Sequence, residues 1–319
     1  MDMLLVFAGL VILLIAGDFL VKGAVSLSLR LGIPALIVSF IIVGFGTSAP
    51  ELLIAIQSAL EGAPGIALGN VVGSNIANVL LVLGIPALLF TLDTGQCDTR
   101  RTYIQMIAAS VAFIAISFLG PLHIWHGVIL LVLLAAMLGD AFRSARIARR
   151  CGVNKSTDPE ELAELEDADP NMPIWKLSAY IIAGIIGLPF GAGILIDGAL
   201  GLAQESGISE EVIGLTLIAI GTSLPELATT VVAALRRQAD VALGNVIGSN
   251  MFNLLAIMGI ASFFGPLEIA SRFLISDLWI MLASSLALAL FVFTGMKLSR
   301  LWGFIYLSAY VGYIFAMLH

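Results

Sequence analysis

GFGTSAPELL, residues 44–53, lies inside a long apolar run yet carries two hydroxyls, a proline and the carboxylate of Glu51. IGTSLPELA, residues 220–228, places Glu226 in an equally apolar setting. The fold turns on what these runs are and on what a carboxylate does inside them.

The surrounding chain answers the first question. Of its 319 residues 60% are hydrophobic and only 12% charged, with a mean hydropathy of +1.06. A soluble protein of this size could not hide that much apolar surface. Apolar stretches fall near 3–21, 33–59, 66–90, 103–121, 123–141, 177–203, 212–235, 240–264, 273–294 and 301–318. Each approaches or exceeds the ~20 residues with which a helix crosses a bilayer. They do not alternate polar with apolar residues as membrane β-strands do. The expected fold class is an all-α membrane protein of about ten transmembrane helices.

MDMLLVFAGL has an acid where a secretory signal would be basic, so the first helix is expected to be retained, with its N-terminus outside. Ten spans with both ends outside put 14 of the 15 Lys and Arg on the cytoplasmic side, Arg272 being the exception, as the positive-inside rule requires. That supports this orientation. Cys97 and Cys151 both fall on the cytoplasmic side, where a disulfide is unusual. His123 and His126 flank Trp125 at an outer interface, where an aromatic belt is the ordinary explanation.

Residues 142–176 form the one long polar stretch, a basic segment followed by seven acids between Asp158 and Asp169. It lacks the spaced acids and glycine of an EF-hand and reads as a cytoplasmic linker between halves 1–141 and 177–319. The halves are related. At a constant offset of 175, LGNVVGSN (68–75) meets LGNVIGSN (243–250), and 19 of the 39 positions from Gly46 to Gly84 match their partners. Five spans per half reverse the second half in the membrane, the inverted repeat of secondary transporters, whose site lies near the midplane.

Thr47, Ser48 and Glu51 converge on one helix face. Pro50 has no N–H, which frees the Gly46 carbonyl, and freed carbonyls at membrane depth line cavities or bind something. Thr222, Ser223, Pro225 and Glu226 repeat the device. This all-oxygen set suits Ca2+ or Na+ and lacks the nitrogen and sulfur favoured by zinc or copper. A charge at a helix centre costs about 2.5–3.5 kcal/mol and marks ion or proton pathways, and no basic partner lies at that depth in these spans. Asn70, Ser74 and Asn78, mirrored by Asn245, Ser249 and Asn253, make polar stripes that could equally be interhelical hydrogen bonds. Gly69 with Gly73 and Gly244 with Gly248 are GxxxG packing pairs. Asp18 and Lys22, four apart near a helix end, fit a plain ion pair; Asp197 aligns with Lys22, so symmetry does not make it a ligand.

GTSAPE with GNVVGSNIAN, and GTSLPE with GNVIGSNMFN, resemble the two α-repeats of the calcium/cation antiporter superfamily, in its prokaryotic sodium/calcium exchanger branch. The resemblance covers essentially the whole chain, with α-motifs at 44–84 and 219–259. It implies a set of cation sites with Glu51 and Glu226 as shared carboxylates. Thr47, Ser48, Thr222, Ser223, Ser74 and Ser249 would add oxygens, Asn78 the middle position, and the backbone at Gly44 and Ala219 carbonyls. Asn253 belongs to the candidate set as well, although some relatives carry Asp there, which argues against a potassium requirement. The first helix of each half would slide across the other eight.

The resemblance implies alternating-access exchange of Na+ for Ca2+, with both ions as substrates, no enzyme activity and no cofactor. The lipid bilayer is the only partner implied; neither nucleic acid nor an obligatory protein partner is. Two carboxylates balance one Ca2+ or two Na+. A third Na+ would make transport electrogenic, each net charge being worth about 2.3 kcal/mol per 100 mV. The rival readings are a Ca2+/H+ antiporter, with Glu51 and Glu226 protonated, and an inverted-repeat channel, against which the buried carboxylates count. There is no HExxH and no serine–histidine pair at depth to suggest an intramembrane enzyme.

Overall fold

The computed structural model describes residues 2–93, 99–151, 172–205 and 221–318. Ala219, Cys97 and the linker acids from Asp158 to Asp169 lie outside them. Among the described residues the chain is helical, without a strand. We number the helices α1 (Asp2–Leu31), α2 (Ala35–Thr47), α3 (Ala49–Leu60), α4 (Pro64–Leu89), α5 (Arg100–Ser117), α6 (Ile124–Cys151), α7 (Ile174–Glu205), α8 (Leu224–Leu235), α9 (Ala239–Ala261), α10 (Phe273–Thr294) and α11 (Arg300–Leu318).

As far as the described residues reach, these follow the apolar stretches with one departure: the second is broken into α2 and α3, bent by 44°. Among the described residues six helices are each long and apolar enough to cross a membrane, and the bent pair makes a seventh. The helix ends are chemically specified. Gly32 (φ 63°) closes α1 and Gly62 (φ 68°) closes α3, each before a proline within two residues. Their hydrogen bonds, Ile33 N–H to Ser28 O at 3.1 Å and Ala63 N–H to Ser58 O at 2.8 Å, are those of a Schellman cap. The same cap ends α8, where Gln238 N–H reaches Ala233 O at 2.8 Å, but Arg237 there holds the left-handed conformation (φ 54°) that glycine takes in the first half.

Two isolated bridges show the inverted symmetry. Leu92 pairs with Leu298, joining the α4–α5 link to the α10–α11 link, and Leu122 pairs with Leu267 across the α5–α6 and α9–α10 links. Leu92 and Leu267 differ by the repeat offset, and their clasps join links that the span order assigns to opposite faces of the membrane.

Burial sorts the helices into inner and outer. The apolar window of α9 is 100% buried and that of α4 78%, against 33% for α1 and 22% for α6 and α7. The helices bearing the GNVxGSN motifs are thus the central ones. Small residues let them approach: a Cβ on Gly244 would sit 2.7 Å from the Leu36 carbonyl oxygen, and one on Gly248 only 2.4 Å from that of Phe40. Side chains such as Leu4, Phe7, Trp125, Phe304 and Val311 face outward, as in a protein whose solvent is lipid.

The first helices of the halves pack antiparallel against each other. A Cβ on Gly184 would lie 3.0 Å from Ala16 O, and one on Gly198 2.7 Å from Asp2 O, so the two backbones nearly touch. Asp18 meets Lys22 at 3.2 Å, the expected ion pair, and it also accepts from Arg236 Nε at 2.7 Å, which ties α1 to the end of α8.

Candidate cation site

The site begins at the starts of two helices. Ser48 (φ −82°, ψ 8°) and Ser223 (φ −87°, ψ 3°) leave helical geometry at equivalent positions. Pro50 and Pro225 follow, each in the first turn of the next helix, where a missing N–H costs nothing. Glu51 and Glu226 occupy those same first turns, at the positive ends of α3 and α8. Both are 0% exposed.

Around them the two halves interlock. Thr47 Oγ1 meets Ser249 Oγ at 3.2 Å, and its symmetry equivalent Thr222 Oγ1 meets Ser74 Oγ at 3.4 Å. Thr47 Oγ1 also donates to the Val43 carbonyl at 3.1 Å. The Gly44 carbonyl accepts from Ser249 Oγ at 3.3 Å. Glu226 Oε1 accepts from Ser48 Oγ and Ser249 Oγ, both at 3.5 Å.

Several oxygens are left over. Among the described residues, both carboxylate oxygens of Glu51, Oε2 of Glu226, Oδ1 of Asn78, Oδ1 of Asn253 and Oγ of Ser223 are buried without a hydrogen-bond partner. Buried polar atoms normally find partners, so each orphan asks for an explanation. Leaving a carboxylate buried and unpaired costs several kcal/mol, and no salt bridge to Glu51 or Glu226 occurs among the described residues. Among the described residues no three or more His, Cys, Asp or Glu are grouped so as to hold a metal ion by themselves. The available ligands are therefore two carboxylates with amide and hydroxyl oxygens, a hard-cation set.

The polar stripes divide by role. Asn245 Nδ2 donates to the Glu226 carbonyl at 3.2 Å and to Thr230 Oγ1 at 3.1 Å, and Asn70 Nδ2 reaches the Glu51 carbonyl at 3.4 Å. These two residues hold the carboxylate-bearing helices in place. Asn78 opens a π-helical segment, Asn78–Val82, and Asn253 lies in its counterpart, Phe252–Ile257. Such wide turns concentrate at functional sites because they re-aim side chains. Sequence reasoning missed Asn75 and Asn250. The signal available was their identity in the two GSN motifs, but position 75 lies off the 70–74–78 stripe.

The sequence profile of the sodium/calcium exchanger protein family matches residues 1–139 and 176–319. A sodium/calcium exchanger of Methanosarcina acetivorans, MaX1, is 30% identical over 100% of this chain and 99% of its own. The inner membrane protein YrbG of Escherichia coli K12 is 36% identical over 90% and 87%. The sodium-calcium exchanger NCX_Mj, solved after soaking with zero Na+ and Ca2+, superposes with a TM-score of 0.83 at 28% identity, covering 99% of this chain and 98% of its own. The same exchanger soaked with 2.5 mM Na+ and 1 mM Sr2+ gives a TM-score of 0.81 at 29% identity.

Proposed function

The chain belongs to the sodium/calcium exchanger family of membrane transporters, and on that premise we propose that it exchanges Na+ for Ca2+ by alternating access at the Glu51–Glu226 centre. The observation that carries this reading is the cluster of buried oxygens, partnerless among the described residues, at the starts of two symmetry-related helices, with no basic side chain among those residues to neutralise the carboxylates. A bound Ca2+ cancels their two charges. Sodium ions would draw on the same carboxylates and on the hydroxyls of Thr47, Ser48, Thr222, Ser223, Ser74 and Ser249, with amide oxygens from Asn78 and Asn253 and carbonyls at Gly44 and Ala219.

Exchange rather than leak follows from the same electrostatics. Emptied, the centre holds two buried charges that cost several kcal/mol each, so the carrier does not cross between its two openings unloaded. Either Ca2+ or Na+ relieves that cost, and each can leave only when the other replaces it. Residues 1–141 and 177–319 form the halves around the centre. The distribution of Lys and Arg supports a plasma-membrane orientation with both chain ends outside and linker 142–176 cytoplasmic.

Proton coupling is the second reading, favoured by one observation: among the described residues both oxygens of Glu51 are buried without a hydrogen-bond partner, and a proton needs no further ligand. Uptake of radioactive calcium into proteoliposomes separates the two. Uptake that requires internal Na+ and is lost in Glu51→Gln and Glu226→Gln supports sodium exchange. Uptake driven by a pH gradient without Na+ moves the protein to the proton-coupled reading, and entry without any counter-ion defeats the antiporter.

A further inference from the structure

Four asparagines meet where α4 crosses α9, all at most 1% exposed. Asn75 Nδ2 donates to the main-chain carbonyl of Asn250 at 3.2 Å and lies 3.7 Å from Met281 Sδ, while Asn250 Nδ2 donates to the carbonyl of Asn75 at 3.4 Å. Their side-chain oxygens accept in turn: Asn253 Nδ2 donates to Asn75 Oδ1 at 3.0 Å, and Asn78 Nδ2 to Asn250 Oδ1 at 3.1 Å. The pattern repeats under the 175-residue offset.

A carboxamide has nearly the same shape either way round, but its two ends are opposite ligands: the oxygen coordinates a cation and the NH2 repels one. Something must choose. A main-chain carbonyl only accepts, so the end of Asn75 facing Asn250 O must be its NH2. Asn75 Oδ1 is then turned on Asn253 and demands a donor, which leaves Asn253 Oδ1 as the free end. The same chain of constraint runs from Asn75 O through Asn250 to Asn78. Asn78 Oδ1 and Asn253 Oδ1 are two of the buried oxygens that have no partner.

We propose that Asn75 and Asn250 are positioning residues, each fixing the carboxamide of a cation ligand in the opposite half so that its oxygen points at the ion. The proposal rests on the cation-site reading above. Asn75 orients Asn253 and Asn250 orients Asn78, so each half aims a ligand carried by the other.

The test is a double-mutant cycle in proteoliposomes, reading the calcium concentration for half-maximal uptake apart from the maximal rate. Asn75→Ala should raise that concentration by about ten- to a hundredfold, the usual effect of losing a partner behind a metal ligand. In an Asn253→Asp background both ends of the ligand are oxygen and nothing needs orienting. There Asn75 Oδ1 faces a carboxylate that has no donor to give it, so Asn75→Ala should cause no loss of calcium affinity beyond about twofold, the scatter of uncoupled sites, and any change should be a gain. Equal losses in both backgrounds would mean that Asn75 only packs, and would overturn the proposal while leaving the site intact. A wild type that takes up no calcium in exchange for Na+ or H+ would defeat the underlying reading instead. Should Asn75→Ala not fold, the mirror cycle of Asn250→Ala with Asn78→Asp makes the same distinction.

Discussion

Replacing Gly248 by alanine probes the contact that brings the two halves together at the cation site. A Cβ there would stand 2.4 Å from the Phe40 carbonyl oxygen and 3.1 Å from Phe40 Cα. A close carbon–oxygen contact is about 3.3 Å, so α9 and α2 must part locally by roughly 0.9 Å, the difference from 2.4 Å. Both obstructing atoms are backbone, with no side chain to swing aside. The hydrogen bond from Ser249 Oγ to Gly44 O, already 3.3 Å, would stretch past any useful length. In an open site alanine would stabilise the helix by about 0.5–1 kcal/mol relative to glycine. Overpacking costs about 1–3 kcal/mol, leaving a net loss of up to about 2.5 kcal/mol, centred near 1.3 kcal/mol. A strain of that size passed to the ligands weakens calcium binding by about tenfold, since 1.4 kcal/mol is a factor of ten. Thermal unfolding in detergent and half-saturating calcium in proteoliposomes measure the two effects. Gly312→Ala, with nothing within 4 Å of its added carbon, is the control and should be neutral or slightly stabilising. A Gly248→Ala protein as stable and as calcium-avid as the wild type would refute the close-approach reasoning.

Asp18→Asn and Arg236→Gln, combined in a cycle, should show a coupling of about 0.5–3 kcal/mol in unfolding experiments, as contacting residues do; additive losses would mean that the pair does not tie α1 to α8. Arg237→Gly should raise stability by up to about 1 kcal/mol by relieving a left-handed backbone, after the entropy cost of glycine. A drop in the melting temperature would count against strain at that cap. Pro225→Ala restores an N–H beside the Gly221 carbonyl and should leave stability within about 1 kcal/mol of wild type, because proline in a first helical turn breaks no bond. Calcium affinity should nevertheless fall as the break at Ser223 relaxes, and unchanged affinity would show that the break does not shape the site.

The sequence announces Glu51 and Glu226 because charge inside an apolar run has few explanations, and it announces the inverted repeat because Thr, Ser, Pro, Glu and Asn recur at one offset. Helix number is legible from the apolar stretches, and the break at Ser48 is foreshadowed by Pro50, although no local rule gives a 44° bend. The remainder depends on neighbours distant in the chain. The spacing of four finds the Asp18–Lys22 pair but not Arg236, which lies 218 residues from Asp18. The spacing that gathers Asn70, Ser74 and Asn78 into a stripe leaves Asn75 roughly a quarter-turn away, on a face whose partner is visible only once α4 and α9 cross. Asn70 and Asn245 lie on the stripes, yet they bond to the main chain behind the glutamates. The π-helical turns at Asn78 and Phe252 have no sequence signature, because they are settled by which side chain the packing requires at that depth.

Asn75 and Asn250 are equivalent residues, and each donates to the main chain of the other. A residue that bonds to its own equivalent sits on the axis relating the halves, so the bond is of the isologous kind found where two identical subunits meet. In terms of descent, two separate copies of such a half, inserted in opposite directions, could make this contact before any linker joined them. Joining them freed the copies to diverge away from the axis, as at Gly62 and Arg237, while any change on the axis still confronts its counterpart across it.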